Sequence, residues 1–297
     1  MSPGNGGRGG ARAERLSLPR SRKPRVLVVS DPGKPEALEA AERVADHLQG
    51  RARVLDVETV RSRDPIRSKP DLVVVLGGDG AMLAVSFRLG KRQVPVLGVN
   101  FGRVGFLAGV SREHALRVLD RALEGRAALE EHAMMHARIR RQGRVLLDTH
   151  ILNEIAIQRT WGSSMVEVDL TVDRRPVCQY RGDGVIVATA TGSTAYSLAA
   201  GGPVLSPRLD AFVVTPLAPY MLGMRPLVLP GHRVAALTVH QDAGFTADGH
   251  EEHRLHPGDV VRVGPSRRRF RLVVDTTFYD RLRGKLGWGV TPGDGEA

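Results

Sequence analysis

The sequence predicts an open α/β domain with a parallel sheet, followed by a β-rich, sandwich-like domain, and three patterns carry that expectation. Between residues 25 and 100, short aliphatic runs alternate with helical segments, the mark of βαβ units and of a sheet covered on both faces. Beyond about residue 130 the period changes to two. In residues 165–173 (MVEVDLTVD), Val166, Val168, Leu170 and Val172 share one face and acids or Thr the other, as in an antiparallel strand wet on one side. Residues 71–83 (DLVVVLGGDGAML) set five consecutive aliphatics against an abrupt stop at Gly77, Gly78, Asp79 and Gly80, a strand buried on both faces that ends in a loop. The 297 residues are enough for two ordinary domains, each with its own core.

The elements follow in order. Residues 1–24 hold six Lys/Arg against one acid in a Gly/Arg/Pro-rich stretch, which predicts a disordered basic tail. The α/β domain is expected over 25–130. Residues 25–30 (RVLVVS) form its first strand, and Asp31-Pro32-Gly33 the turn that leaves it. Pro35, then Leu38, Ala41, Val44, Ala45 and Leu48 at three-to-four spacing, and Gly50 past the end, specify an amphipathic helix with start and stop signals. Strands are expected over 53–59, 72–76 and 94–99, with a helix over 81–89 closed by Gly90. At Gly77 and Gly78 the missing Cβ lets the chain turn sharply and lets a phosphate approach bare N–H groups. Asp79 is then left at the carboxyl end of a strand, where open α/β sheets bind their ligands. A second reading makes it the cap of the helix that follows.

Residues 100–107 read NFGRVGFL. Gly98, Gly102 and Gly105 have the wrong spacing for G-x-G-x-x-G, which excludes the dinucleotide fingerprint of dehydrogenases. Arg103 in this loop is either placed to meet an anion or is a solvated turn residue. Ser111 is expected to cap a helix through Leu116, Leu119 and Leu123, closed by Gly125. In the β-rich half, expected over 131–270, segments 137–141 and 145–148 flank Gln142-Gly143 as a hairpin, and 185–189, 233–240, 260–263 and 270–275 are further strands. Asn153 and Glu154 stand side by side inside the apolar run ILNEIAI. Inward polar groups need partners, either a ligand or a structural hydrogen-bond pair. Residues 181–203 then give Asp183 between glycines, a buried strand, and TATGSTAYS. Thr191, Ser193, Thr194 and Ser197 are small donors able to line a polar ligand, and the Tyr196 ring could pack on a base or a ribose. Such a Ser/Thr-rich stretch can also be only a turn.

The net charge of +11 raises the question of nucleic acid. About half of it lies in the first 24 residues and aromatics make up 4%. A basic surface without stacking rings suits a phosphorylated small molecule better, so no nucleic-acid partner is expected. The single cysteine, Cys178, excludes an internal disulfide. No apolar run approaches the roughly 20 residues that cross a bilayer, and no secretion signal is evident; a soluble cytoplasmic protein without a membrane partner is expected. G-x-x-x-x-G-K-[ST] and H-E-x-x-H are absent, and Ser193 lies in T-G-S-T rather than G-x-S-x-G. His250, His253 and His256 are three apart but precede Pro257-Gly258, which suits a solvated loop better than a metal site.

Taken together, the chain resembles the NAD kinase family. The match runs in order through GGDG (77–80), NFGRVGFL (100–107), Asn153-Glu154, GDG (182–184), TGSTAYS (191–197), AGGP (200–203), RPL (225–227) and the terminal KLGW (285–288). GGDG alone is shared with lipid kinases of the diacylglycerol and sphingosine type; its combination with Asn153-Glu154 and TGSTAYS is specific. The resemblance implies an active site between the two domains and a C-terminal segment, 271–297, that returns to the first. It also implies ATP or polyphosphate as phosphate donor, Mg²⁺, and a homodimer or homotetramer. Carried over by residue, Asp79 and Gly80 meet the NAD ribose and the donor phosphates, with Asp79 as the base. Asn153, Glu154, Arg181 and Asp183 hydrogen-bond NAD. Thr194, Ala195, Tyr196, Ser197, Leu198 and Ala199 line the dinucleotide site, and Ala218 falls at a backbone contact. Three positions depart from the family pattern, at Ala190, Tyr220 and His250.

The chemistry agrees with the residues. Moving a γ-phosphoryl to a ribose 2′-hydroxyl needs positioning, charge neutralisation and a carboxylate to take the proton. Asp79 would supply the last; the bare N–H groups of Gly77, Gly78 and Gly80, with Mg²⁺ and Arg103, would hold phosphate. Two other functions stay open, a lipid kinase of the GGDG type and a non-catalytic NAD- or nucleotide-binding protein.

Overall fold

The computed structural model describes residues 14–19, 21–102, 105–160 and 164–288. A two-residue strand, β1 (Glu14–Arg15), precedes β2 (Arg25–Ser30), α1 (Pro35–His47), β3 (Arg53–Thr59), β4 (Leu72–Gly77), α2 (Asp79–Leu89) and β5 (Pro95–Asn100). These strands run parallel in the order β3-β2-β4-β5. The continuous aliphatic runs reflect burial on both faces. Val26, Val28, Leu72, Val74 and Leu76 pack under α1 with Ala37, Ala41 and Val44, while Leu27, Val29, Val73 and Val75 pack under α2 with Ala81, Met82 and Val85. The chain continues through β6 (Val110–Ser111) and α3 (Ala115–Leu123). Ser111 does not cap α3: a 3₁₀ turn, Arg112–His114, lies between them.

The β-rich part comprises β7 (Ala128–Arg141), β8 (Arg144–Ile151), β9 (Glu154–Gln158), β10 (Val166–Val172), β11 (Arg175–Gly182), β12 (Gly184–Thr189), α4 (Tyr196–Ala199), β13 (Ala211–Leu217), β14 (Leu227–Pro230), β15 (Ala235–Val239), β16 (Ala243–Ala247), β17 (Glu251–Leu255) and β18 (Val260–Val274), and the chain ends on α5 (Phe278–Leu286). The β7–β8 hairpin turns at Gln142 and Gly143, both at positive φ, as a two-residue hairpin turn requires. One sheet runs β14-β13-β12-β9-β16-β17; the other carries β11-β10-β15-β18 and continues into β5 and the parallel strands, with β7 and β8 beside β18. Their inner faces share a core of Ile139, Ile155, Val168, Val187, Phe212, Leu237 and Phe245, the packing of a sandwich.

The strands expected over 260–263 and 270–275 are one. Val260 to Pro265 pairs antiparallel with β7; the register shifts between Pro265 and Arg269, and Arg271, Leu272 and Val273 then pair parallel with Pro95, Val96 and Leu97 of β5. The polar residues at the shift, Ser266 to Arg268, break the apolar alternation in the sequence without ending the strand. The disordered stretch expected through residue 24 does not hold at Leu16 and Leu18. Leu16 and Leu18 are buried in the α1 core, and the Leu16 N–H donates to the Ala127 carbonyl at 3.0 Å. Two leucines on one face of an extended segment suffice to dock it, and the arginine-rich average around them conceals the pair.

Candidate active site

The helix α2 begins at Asp79 itself, with Gly78 as N-cap and no side-chain cap bond. The capping reading therefore fails. The Asp79 carboxylate turns instead to the loop after β5: Oδ2 accepts from the Phe106 N–H at 2.9 Å, and Oδ1 from the Leu107 and Ala108 N–H groups at 3.0 and 2.9 Å. Lys285 on α5 donates to Oδ2 at 3.3 Å. Four donors on two oxygens fill the acceptor capacity of a carboxylate. Three of them are fixed backbone, and the half-exposed ammonium is the one free to leave. Lys285 also lies 4.7 Å from the centroid of the Phe106 ring. A Cβ at position 105 would collide with the Asp79 carboxylate, so the loop can wrap it only with glycine there.

The glycines before Asp79 act through space rather than through conformation. Neither Gly77 nor Gly78 takes a positive φ. A Cβ on Gly77 would come within 2.8 Å of Ala81 Cβ and 3.2 Å of Asp31 Cβ, whereas one on Gly80 would meet nothing. Arg103 lies outside the described residues.

Leu152 packs in one core with Ala81, Met82, Leu107 and Ala108, which ties Asn153 and Glu154 to the Asp79 loop. Asp248, in the turn from β16 to β17, holds this segment through N–H donors of Leu152, Asn153 and Glu154 at 2.6, 2.8 and 3.0 Å. Removal from water pushes Asp248 up to about 6 against those three donors. Burial, and then the Asp248 charge, push Glu154 up to about 8, with the Tyr196 N–H opposing. Its Oε2 is buried without a partner. Glu154 is thus protonated at neutral pH, and a protonated carboxyl donates as well as accepts.

The hydroxyls of TATGSTAYS turn inward. Thr189 Oγ1 donates to the Leu152 carbonyl at 2.6 Å, Ser193 Oγ to Ala190 at 2.7 Å and Thr194 Oγ1 to Thr191 at 3.1 Å, while the Ser197 and Thr215 hydroxyls pair at 2.8 Å. They fix the shape of the turn, and Gly192 lies so close to the Asn153 carbonyl that a Cβ would collide with it. Left facing outward are Tyr196 and Ala199, with Ala195 and Leu198 half-buried. A buried polar chain links this turn to α5: Thr191 Oγ1 to His132 Nδ1 at 2.9 Å, His132 Nε2 to Glu130 at 3.5 Å, and Glu130 to the Arg281 guanidinium at 2.9 Å. Burial alone would raise Glu130, but His132 and Arg281 outweigh it and hold the carboxyl at about 2.

Asp183, Tyr196 and Ala218 form a second group, lining an open cleft of ≈ 700 Å³ with Gln158, Arg159 and Leu217. Asp183 pairs with Arg159 at 2.7 Å, and Ala218 takes a positive φ of 39°. Arg181 stands apart on β11, paired with Glu167 at 3.1 Å and lying 5.6 Å over the Tyr220 ring. The three histidines belong to a hairpin, not a loop: His253 is in β17, His250 lies 6.3 Å from the Phe87 ring, and His256 bonds Asp242 at 2.8 Å. Among the described residues, metal-ligand spacing occurs at His136, Asp148 and His150, on the β7–β8 hairpin.

Two residues of this region are given no role by the sequence. Asp248 is visible only as a turn residue before Gly249, since the N–H groups it holds lie some 95 positions earlier. Lys34 follows the Asp31-Pro32-Gly33 turn and reaches the glycine loops; its one signal is a cation at a carboxyl strand end.

Residues 25–127 match the family model described as the ATP-NAD kinase N-terminal domain, and residues 152–274 the ATP-NAD kinase C-terminal domain. The NAD kinase of Azoarcus sp. (strain BH72) is 37% identical over 281 residues, covering 88% of this chain and 95% of its own. That of Symbiobacterium thermophilum is 38% identical over 279 residues, 89% of this chain and 99% of its own. Among solved structures, an NAD kinase from Archaeoglobus fulgidus in complex with ATP superposes with a TM-score of 0.72 at 30% identity, covering 89% of this chain and 98% of the other. Yeast NADH kinase complexed with NADH shares the fold, with a TM-score of 0.82 at 24% identity over 94% of this chain and 93% of the other.

Proposed function

This chain belongs to the NAD kinase family, and on that premise we propose that it transfers the γ-phosphoryl of ATP to the 2′-hydroxyl of the adenosine ribose of NAD, giving NADP and ADP. The observation that carries the reading is the Asp79 carboxylate, held at a strand's carboxyl end by three backbone N–H groups and one displaceable ammonium. When Lys285 withdraws from Oδ2, that oxygen can accept the hydroxyl proton as the phosphoryl group arrives. Gly77, Gly78, Gly80 and Arg103 hold donor phosphate. Glu154, protonated, and Asn153 hydrogen-bond the dinucleotide beside Asp79; Tyr196 offers its ring; Thr194, Ala195, Ser197, Leu198 and Ala199 shape the wall. Arg181, Asp183 and Ala218 complete the NAD site as in the family pattern.

Mg²⁺ fits as a companion of the donor phosphates, since it is bound through one or two carboxylates plus phosphate oxygens. Asp79 is filled, but Asp31, beside Gly77, accepts among the described residues only the Gly33 N–H at 3.0 Å and would hold the ion. Bound there, Mg²⁺ would neutralise phosphate charge. A homodimer or homotetramer and a cytoplasmic location belong to the same reading; no helix among the described residues is long and apolar enough to cross a membrane. The test is turnover. Full chain with NAD, ATP and Mg²⁺ should yield NADP and ADP in equal amounts, and replacing ATP by polyphosphate reads the donor. Phosphorylation of diacylglycerol or a sphingoid base instead would assign a lipid kinase, and NAD binding without product a non-catalytic protein.

A further inference from the structure

We propose that Lys34 grips the polyphosphate chain of the phosphate donor, in the gap between the glycine loops that follow β4 and β5; the assignment rests on the kinase reading above. Lys34 is set by the turn that leaves β2, its N–H donating to the Asp31 carbonyl at 3.0 Å. Its Nζ lies 3.5 Å from the point a Cβ on Gly78 would occupy and 3.3 Å from that on Gly102. The ammonium therefore sits between Gly78 and Gly102, neither of which carries a side chain, at the carboxyl ends of the parallel strands where ligands bind. It is half-buried, and among the described residues it has neither a carboxylate nor a carbonyl as partner. A partly desolvated cation without a counter-charge is costly unless a ligand supplies one. Lysine suits phosphate as a mobile point charge, and bare N–H groups on both sides add donors.

Topology separates this gap from the dinucleotide side. Lys34 opens α1, which packs on one face of the parallel sheet; Leu152, and with it Asn153 and Glu154, packs with α2 on the opposite face. Asp79 opens α2. Donor and acceptor then approach from different faces of the sheet, which lets the attacking hydroxyl and the leaving phosphate oxygen lie on opposite sides of the transferred phosphorus. Among the described residues, the other cation at Asp79, Lys285, is already engaged by its carboxylate, whereas Lys34 has no carboxylate partner and is available, together with Arg103, for phosphate.

The chemistry recognised is a chain of phosphates, whether on a nucleotide or inorganic. Calorimetric titration of the full chain with ATP, with sodium tripolyphosphate and with NAD separates the sources. Lys34→Met and Lys34→Gln, checked for unchanged melting temperature, should weaken tripolyphosphate binding roughly tenfold or more, the effect of losing a charged hydrogen-bond donor. The KM for the donor should rise in parallel, while the NAD Kd stays within about twofold and Lys34→Arg retains most of the affinity. Loss for ATP as well identifies a nucleotide donor, and loss for tripolyphosphate alone an inorganic one. Unchanged tripolyphosphate affinity, a loss for ATP alone, an equal loss for NAD, or a wild type that binds neither phosphate ligand would overturn the assignment. Absence of NADP formation by a wild type that binds tripolyphosphate through Lys34 would instead remove the kinase reading and leave the phosphate site.

Discussion

Glu154 carries the most readable consequence of the site at the scale of one residue. In the fold it keeps its proton up to about pH 8, against an ordinary value of 4.5. The folded state therefore binds more protons than the unfolded one, and stability falls as pH rises from about 4.5 to about 8, where the loss is complete. Glu154→Gln should remove this cost, with a melting-temperature gain over wild type near zero at pH 4 and largest at pH 8, worth a few kcal/mol at most. Parallel pH–melting curves for the two proteins would mean that Glu154 is ionised in the fold. Asn153 and Glu154 were legible because two adjacent polar residues interrupt an apolar run. Asp248, which organises them, was not: its partners are backbone N–H groups distant in sequence, and backbone donors leave no trace in side-chain pattern.

Among the elements, α5 does two separable things. Its N-terminus is closed by a capping box between Thr277 and Asp280, a signal local enough to read from sequence. Its contacts with the site are not local. Arg281 is buried against a buried Glu130, so Arg281→Met leaves a buried carboxylate held by the longer contacts to His132 at 3.5 Å and Arg208 at 3.9 Å and should cost up to about 3–5 kcal/mol in urea unfolding. Lys285 and Asp79 are half-exposed, and Lys285→Met should cost no more than about 1 kcal/mol while altering turnover. Equal losses in the two variants would contradict this division. The helices and parallel strands were legible because periodicity, Pro35 and the closing glycines are local signals. The fifteen-residue β18 was not, because the register shift between Pro265 and Arg269 is decided by β7 rather than by its own residues.

At the scale of the whole molecule, β18 joins the two units, pairing with β15 and β7 in the sandwich and with β5 in the parallel sheet. The change of hydrophobic period near residue 130 revealed two architectures, but a shared strand needs tertiary pairing to be seen. Docking of Leu16 and Leu18 on the α1 core likewise reverses, at those residues, the expectation of a disordered tail through residue 24. A chain starting at residue 14 should match the full chain in stability. One starting at residue 19 should lose about 2–5 kcal/mol, the scale for two buried leucines; equal denaturation midpoints for the two truncations would show that the leucines do not dock.

The central claim is that Asp79 takes the proton of the accepting hydroxyl, and kcat of purified Asp79→Asn at saturating NAD and ATP tests it most directly. The asparagine amide nitrogen would face N–H donors from Phe106 or from Leu107 and Ala108, so a stability loss of about 1–3 kcal/mol accompanies the change, and kcat is measured on the folded fraction. It should fall by a factor of roughly 10² to 10⁴, the scale of a lost general base, with NAD still bound within about tenfold of wild type. A kcat near that of wild type would contradict the account.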